Sequence, residues 1–195
     1  MTDKGFLLVM AQPTAAMEEE FNAWYDTEHV PERLAVPGFE SAARYVATSA
    51  IRRYLALYDL ERPEVLDSPA YGKVSGDNFS PWTRRVTGRS RVSRSAGRQA
   101  YPGQSLTRPC VRLLVIRFRA VPLAAETALV TGLRETFEPR AEVIQARLFV
   151  APLDGDKADM FGVIECRGPT SDAFDPAPFG GHADAIDLIE TFAPY

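Results

Sequence analysis

Two histidines, His29 and His182, are the side chains of this 195-residue sequence that ordinarily titrate near neutral pH, so proton transfer is sought there first. Asp26 stands three residues before His29. Positions i and i+3 share a helix face, and a carboxylate there would hold the imidazole in one tautomer and raise its basicity, as a general acid or base requires. Trp24 and Tyr25 add aromatic surface beside it. Pro31 ends the helix and leaves His29 near its mouth. Plainer readings stand beside this one. A histidine in the last helical turn also interacts well with the helix dipole, and an exposed Asp26 pair is worth roughly a few tenths of a kcal/mol. His29 with Asp26 and Glu28 lacks a second ligating histidine, so no metal is expected. His182 follows Phe179-Gly180-Gly181 and reads as a residue starting a helix or lying in a loop.

The elements that must position His29 follow from the pattern around it. Gly5–Gln12 is a short apolar run closed by Pro13, which suits a strand buried on both faces. Thr14 then offers an N-cap, Glu18–Glu20 enrich the first turns in acid, and Phe21, Trp24, Tyr25 and Glu28 recur at helical spacing. The helix ends near His29, with an extra turn to Leu34 left open. Phe39–Thr48 and Arg52–Glu61 read as strands joined by a hairpin at Ser49-Ala50-Ile51. Short helices are predicted around Pro63–Tyr71 and Phe79–Val86, and an edge strand over Ser90–Ala100. That order, β-α-β-β-α-β, is the split unit of the ferredoxin-like fold. Along the third strand Tyr54, Ala56 and Tyr58 share one face and Leu55, Leu57 and Asp59 the other. The tyrosine face suits a cavity wall, or equally a core with satisfied hydroxyls.

Tyr101–Pro109 reads as a linker, after which the pattern restarts. Arg112–Ala120 is a strand, Pro122–Phe137 a helix, Val143–Leu153 and Met160–Arg167 strands around Asp154-Gly155-Asp156, and His182–Phe192 a last helix. Leu7-Leu8-Val9-Met10 and Leu57-Tyr58-Asp59-Leu60 recur at an offset of 106 residues as Leu113-Leu114-Val115-Ile116 and Val163-Ile164-Glu165-Cys166. The reading is therefore two ferredoxin-like halves, 1–103 and 110–195, whose antiparallel sheets pack face to face as an α/β barrel, the second half lacking a final strand. Facing sheets can leave a ligand-sized cavity between them. At the same offset Asp26 becomes Gly132 and His29 becomes Glu135, so the acid/base pair belongs to the first half alone.

Composition narrows the partners. Net charge is −4 with a pI of about 5.3, which argues against nucleic acid. A local run, Arg84, Arg85, Arg89, Arg91, Arg94 and Arg98, reads as a solvated strand with its loops or, less simply, a polyanion site. Cys110 and Cys166 form no CxxC pair. No stretch approaches the ~20 apolar residues of a membrane span, and a cytoplasmic protein with a small-molecule partner is expected. A homodimer is the other assembly considered, since pairing would protect exposed edge strands.

The run Phe21-Asn22-Ala23-Trp24-Tyr25-Asp26-Thr27-Glu28-His29-Val30-Pro31, followed by Pro37-Gly38-Phe39 and Arg44-Tyr45, resembles the EthD-like branch of the dimeric α/β-barrel superfamily. That branch often carries a Tyr-Asp-x-x-His-x-Pro helix end and a Pro-Gly-aromatic turn into the second strand. The resemblance implies that His29 points into the inter-sheet cavity. It also implies a range of chemistries, from cofactor-free isomerases, cyclases and lyases to oxygenases and haem-handling enzymes. The leading expectation is a cofactor-free enzyme transferring a proton beside a carbonyl of a small aromatic or lactone-like molecule. His29 would be the acid/base, Asp26 its orienter, and Trp24, Tyr25, Tyr45, Tyr54 and Tyr58 would line the substrate. Arg44 would stabilise a developing enolate, although its parity along the strand opposes that of Tyr45. The alternatives are a haem- or oxygen-using monooxygenase with His29 as iron ligand, and a binding protein without chemistry.

Overall fold

A computed structural model describes residues 3–49 and 53–195, so the Ala50-Ile51 part of the expected hairpin lies outside it. Eight strands form one closed antiparallel barrel. They are β1 Gly5–Pro13, β2 Phe39–Ala47, β3 Tyr54–Leu60, β4 Ser90–Tyr101, β5 Arg112–Pro122, β6 Val143–Pro152, β7 Lys157–Cys166 and β8 Ile186–Pro194. Around the barrel the order is β1-β3-β2-β8-β5-β7-β6-β4. Cut at its two short joins, β2 with β8 and β4 with β6, this is the same four-strand order traversed twice. The ferredoxin-like α/β barrel expected from the sequence is the fold observed. Because the barrel closes within one chain, it leaves no strand edge that a second chain must cover.

The helices lie outside the barrel. α1 Glu18–Trp24, a π turn over Tyr25–His29 and α2 Val30–Leu34 follow β1. α3 Pro69–Gly72 and α4 Pro81–Thr87 precede β4. α5 Glu126–Phe137 covers the second half. Among the described residues no helix is long and apolar enough to cross a membrane.

The end of the chain corrects the sequence reading. His182–Phe192 is not a helix, and the second half does not lack its last strand. Ala177–Ala185 coils in 3-10 turns, and Ile186–Pro194 then pairs with β5 from Leu113↔Phe192 to Phe118↔Ile186. Ile186, Leu188, Glu190 and Phe192 alternate with outward residues, and pairing with a neighbouring strand overrides the local helical spacing.

Alternation along the strands sorts residues into three cores. Phe6, Leu8, Leu55, Leu57, Leu113, Val115, Phe149, Phe161, Val163 and Phe192 fill the barrel interior. Phe6 stacks on Phe149 with ring centroids 4.5 Å apart. An eight-stranded barrel has an interior just wide enough for its side chains, and aromatic rings fill its middle, so the space between the sheets is confined to a barrel mouth, where a cavity of about 370 Å³ is walled by Met10, Ser93, Arg117 and Leu188 among others. One barrel end is sealed by Arg147, fully buried, which pairs with Asp59 of β3 and Glu165 of β7. The linker closes over them: Asp59 accepts from the Thr107 N–H at 2.6 Å and Glu165 from the Arg108 N–H at 3.0 Å.

The other two cores lie between sheet and helices. In the second half Phe179 packs with Phe118 and Phe174 against α5. Gly132 allows this: a Cβ there would stand 2.5 Å from the Phe179 ring. Gly132→Val should therefore destabilise the fold by about 1–3 kcal/mol through overpacking. An unchanged urea midpoint would refute this account of the glycine.

Candidate functional site

The first half's outer core holds the candidate site. The helix bearing Trp24-Tyr25-Asp26-Thr27-Glu28-His29 does not run on as an α-helix. Pro31 cannot donate to the carbonyl four residues back, and its ring crowds that carbonyl. The turn before it widens, and the Val30 N–H reaches the Tyr25 carbonyl in an i→i−5 bond. Single π turns of this kind are frequent at functional sites.

The wider turn separates Asp26 from His29, which corrects the expected pair. Asp26 is exposed and bonds Nη1 of Arg44. Arg44 Nη2 donates to Asn22 Oδ1 at 2.6 Å, and its guanidinium lies 4.6 Å from the Tyr25 ring centroid and 4.4 Å from that of Tyr195. Asn22 in turn donates to the Tyr54 hydroxyl at 3.1 Å. Asp26, Arg44 and Tyr54 thus form a brace fastening the helix to β2 and β3. Tyr45, with opposite parity to Arg44, points into the barrel interior.

His29 turns toward the sheet, into the layer between helix and barrel and away from the interior expected for it. Its ring lies 4.2 Å from that of Trp24 and edge-on to Tyr25 at 5.1 Å. Nδ1 is buried without a hydrogen-bond partner. The ring forms part of the wall of a cavity of about 100 Å³ whose other walls include Phe21, Trp24, Tyr25, Tyr71 and Phe79, with Leu7, Val9 and Ala11 of β1. Tyr58 sits in the same core and also has a buried, unpartnered hydroxyl. Two charged residues join the cavity: Arg33, 2% exposed, which escaped the sequence reading, and Arg94 of β4, which the sequence offered only as part of the basic run. A signal existed for Arg33, which stands four residues after His29, where a helix brings side chains to one face.

A second network fixes the cavity wall. Trp24 Nε1 donates to Thr83 Oγ1 at 3.0 Å, and Thr83 donates to Glu28 Oε1 at 3.1 Å. Ser80 caps α4 by accepting from the Thr83 N–H at 2.9 Å, and its hydroxyl also donates to Glu28. The π turn, Trp24 and α4 are therefore held as one unit.

Burial, reinforced by the positive charges of Arg33 and Arg44, lowers the His29 pKa to about 3. The imidazole is neutral at every ordinary pH. Burial likewise pushes Tyr25 up to about 12 and Tyr58 well above its ordinary value. The site thus presents a neutral base among neutral phenols.

A neutral imidazole with a free nitrogen has the donor chemistry to bind iron. The space does not fit a porphyrin: about 100 Å³ compares with roughly 300–1,000 Å³ for pockets enclosing drug-sized ligands. Among the described residues no three His, Cys, Asp or Glu side chains are gathered as a metal site.

No family model matches the chain, and no curated protein does. Solved structures do. An anthrone oxidase-like protein superposes with TM-score 0.70 at 9% identity, over 100% of this chain and 92% of its own. A putative monooxygenase from Lactobacillus acidophilus NCFM gives 0.60 at 6% identity, over 98% and 94%. A putative chlorite dismutase gives 0.57 at 10% identity, over 100% and 96%. At such identities the likeness concerns the fold alone, an antiparallel α/β barrel of two ferredoxin-like halves.

The neutrality of His29 has a thermodynamic signature. Between its usual pKa of 6.5 and about 3, the unfolded chain binds a proton at this residue that the folded chain does not. Stability must fall with falling pH across that window, by up to about 1.4 kcal/mol per pH unit from this group. His29→Gln should remove that share of the slope. Parallel stability–pH curves for the two proteins between pH 6.5 and 4 would contradict a buried neutral imidazole.

Proposed function

We propose that this chain is a cofactor-independent oxygenase acting on an activated aromatic C–H or O–H bond, with His29 as the base. The observation that carries the reading is the unpartnered Nδ1 of His29 at the wall of a partly enclosed, mainly apolar cavity. A buried nitrogen left without a partner loses about 1–3 kcal/mol, and a bound proton donor recovers that loss. The cavity is smaller than the ~150 Å³ known to admit one benzene ring, so an aromatic ring enters edge-first among Trp24, Tyr25 and Phe79 with the rest of the substrate at the cavity's open side.

A low pKa does not disqualify the base. Proton transfer leaves imidazolium beside a carbanion or phenolate, and that negative charge offsets the Arg33 and Arg44 fields that depress the pKa in the free protein. The electron-rich anion then gives one electron to dioxygen, and recombination forms a C–O bond as a hydroperoxide. Loss of water converts this to a carbonyl. Overall a methylene becomes C=O, one oxygen atom enters the product and the other leaves as water, so no outside reductant is needed. Trp24 and Tyr25 hold the ring, and the apolar wall keeps bulk water from the anion. The fold relatives named as an anthrone oxidase-like protein and a monooxygenase support dioxygen as the oxidant, in place of the isomerase or lyase outcome of the same proton transfer. The residues that perform it keep the EthD-like resemblance as their second support.

Anthrone, with one acidic methylene between aryl rings, is the direct test. The protein should consume dioxygen and yield anthraquinone with one ¹⁸O atom from labelled gas. His29→Ala should lower the rate about 10²–10⁴-fold while leaving the melting temperature nearly intact. Turnover that survives that substitution, or that proceeds without oxygen, rules the proposal out.

A further inference from the structure

The charges in the His29 cavity say what its ligand carries. Two guanidinium groups, Arg33 and Arg94, line the cavity, and no aspartate or glutamate does. This is unusual for a chain with net charge −4.

Arg33 is almost wholly buried, with its guanidinium 5.4 Å from the Tyr71 ring centroid. Among the described residues its one ion pair is a long contact, 3.3 Å from Nη1 to Oε2 of the adjacent Glu32. A guanidinium carries five N–H donors, so most of this buried fork is not used by the protein. Arg94 sits on β4 two residues from Val92, with the same parity, and both residues line the cavity. Among the described residues it makes no ion pair. Elsewhere in the basic run Arg84 bonds the Asp77 carbonyl, Arg85 pairs with Glu20 and Arg98 with Glu126 and Asp3, while Arg89 reaches only the Met17 sulfur and Arg91 lines the separate barrel-mouth cavity. The nearby carboxylates are held elsewhere, Asp26 by Arg44 and Glu28 by Ser80 and Thr83.

We infer that the ligand of this cavity is an aromatic acid, its ring in the apolar pocket and its carboxylate on Arg33 and Arg94. A planar carboxylate matches the guanidinium fork. An anion in an apolar cavity is costly unless paired, and the buried Arg33 supplies the pairing without the entropy loss of ordering a surface side chain. Arg33 and Arg94 would then set specificity, while His29 faces the reacting carbon. This inference rests on reading the cavity as the substrate site, but it does not depend on dioxygen.

The test is therefore binding without turnover. Calorimetric titration of benzoate and of its neutral isostere benzamide should give at least about tenfold tighter binding of the acid, about 1.4 kcal/mol, since a charge-assisted pair forms with the acid alone. Arg94→Gln, an exposed change that leaves the fold intact, should cut that preference severalfold. Arg33→Gln should reduce it further while amide binding persists. Equal affinity for acid and amide, or an unchanged preference in Arg94→Gln, overturns the inference. Retained acid preference with no oxygen uptake on any aromatic substrate overturns the oxygenase reading and leaves this one standing.

Discussion

The stack of Phe6 on Phe149 at the barrel centre decides where chemistry can occur. Eight strands close a barrel whose interior is filled by its own side chains, and here the fill is largely aromatic. Inside the barrel a ligand is then confined to a mouth beside Met10 and Leu188, and the other places for one lie outside, under helices. There are two such layers, one over each half. In the second, Phe179 closes over Gly132 and fills the space beneath α5. In the first, His29 and its aromatic neighbours surround a cavity.

Keeping that cavity open requires rigid walls. The π turn is fastened from two directions. Arg44, bonded to Asp26 and Asn22 and flanked by Tyr25 and Tyr195, ties it to the sheet. Thr83, fully buried between Trp24 and Glu28, ties it to α4. Residues that looked like substrate ligands by type, Asp26, Arg44 and Tyr54, are spent on this bracing. Their work is to hold the imidazole where its free nitrogen cannot collapse onto a protein partner.

The sequence made some of this legible and hid the rest for physical reasons. The strand boundaries and the repeated order could be read because short apolar runs between Gly and Pro have few other uses. His29, Trp24 and Tyr25 stood out because their chemistry and spacing are local. The pairing of Asp26 with His29 was misread because helical spacing assumes an α-helix, and Pro31 widens the turn that carries both. β8 was misread because Ile186–Phe192 also fits a helix, and only the open side of β5 decides between them. The direction of His29 was unreadable for a similar reason: periodicity shows which residues share a face but not which of two cores that face meets. Arg147, fully buried between two carboxylates, joins residues 88 and 18 positions apart, a separation no local pattern can express.

The two layers also make an energetic comparison. Both cover the same kind of sheet with the same kind of helix, and the second shows that this architecture is satisfied by complete filling. Empty apolar volume costs about 24 cal/mol per Å³, so a cavity of about 100 Å³ weakens the first layer by on the order of 2 kcal/mol. The unpartnered nitrogen of His29 and hydroxyl of Tyr58 add to that cost. One phenylalanine from a neighbouring loop would remove the void, as Phe179 does beside Gly132. The fold has this remedy in one half and lacks it in the other, and of the two unpartnered polar atoms the imidazole nitrogen belongs to a residue of the cavity wall.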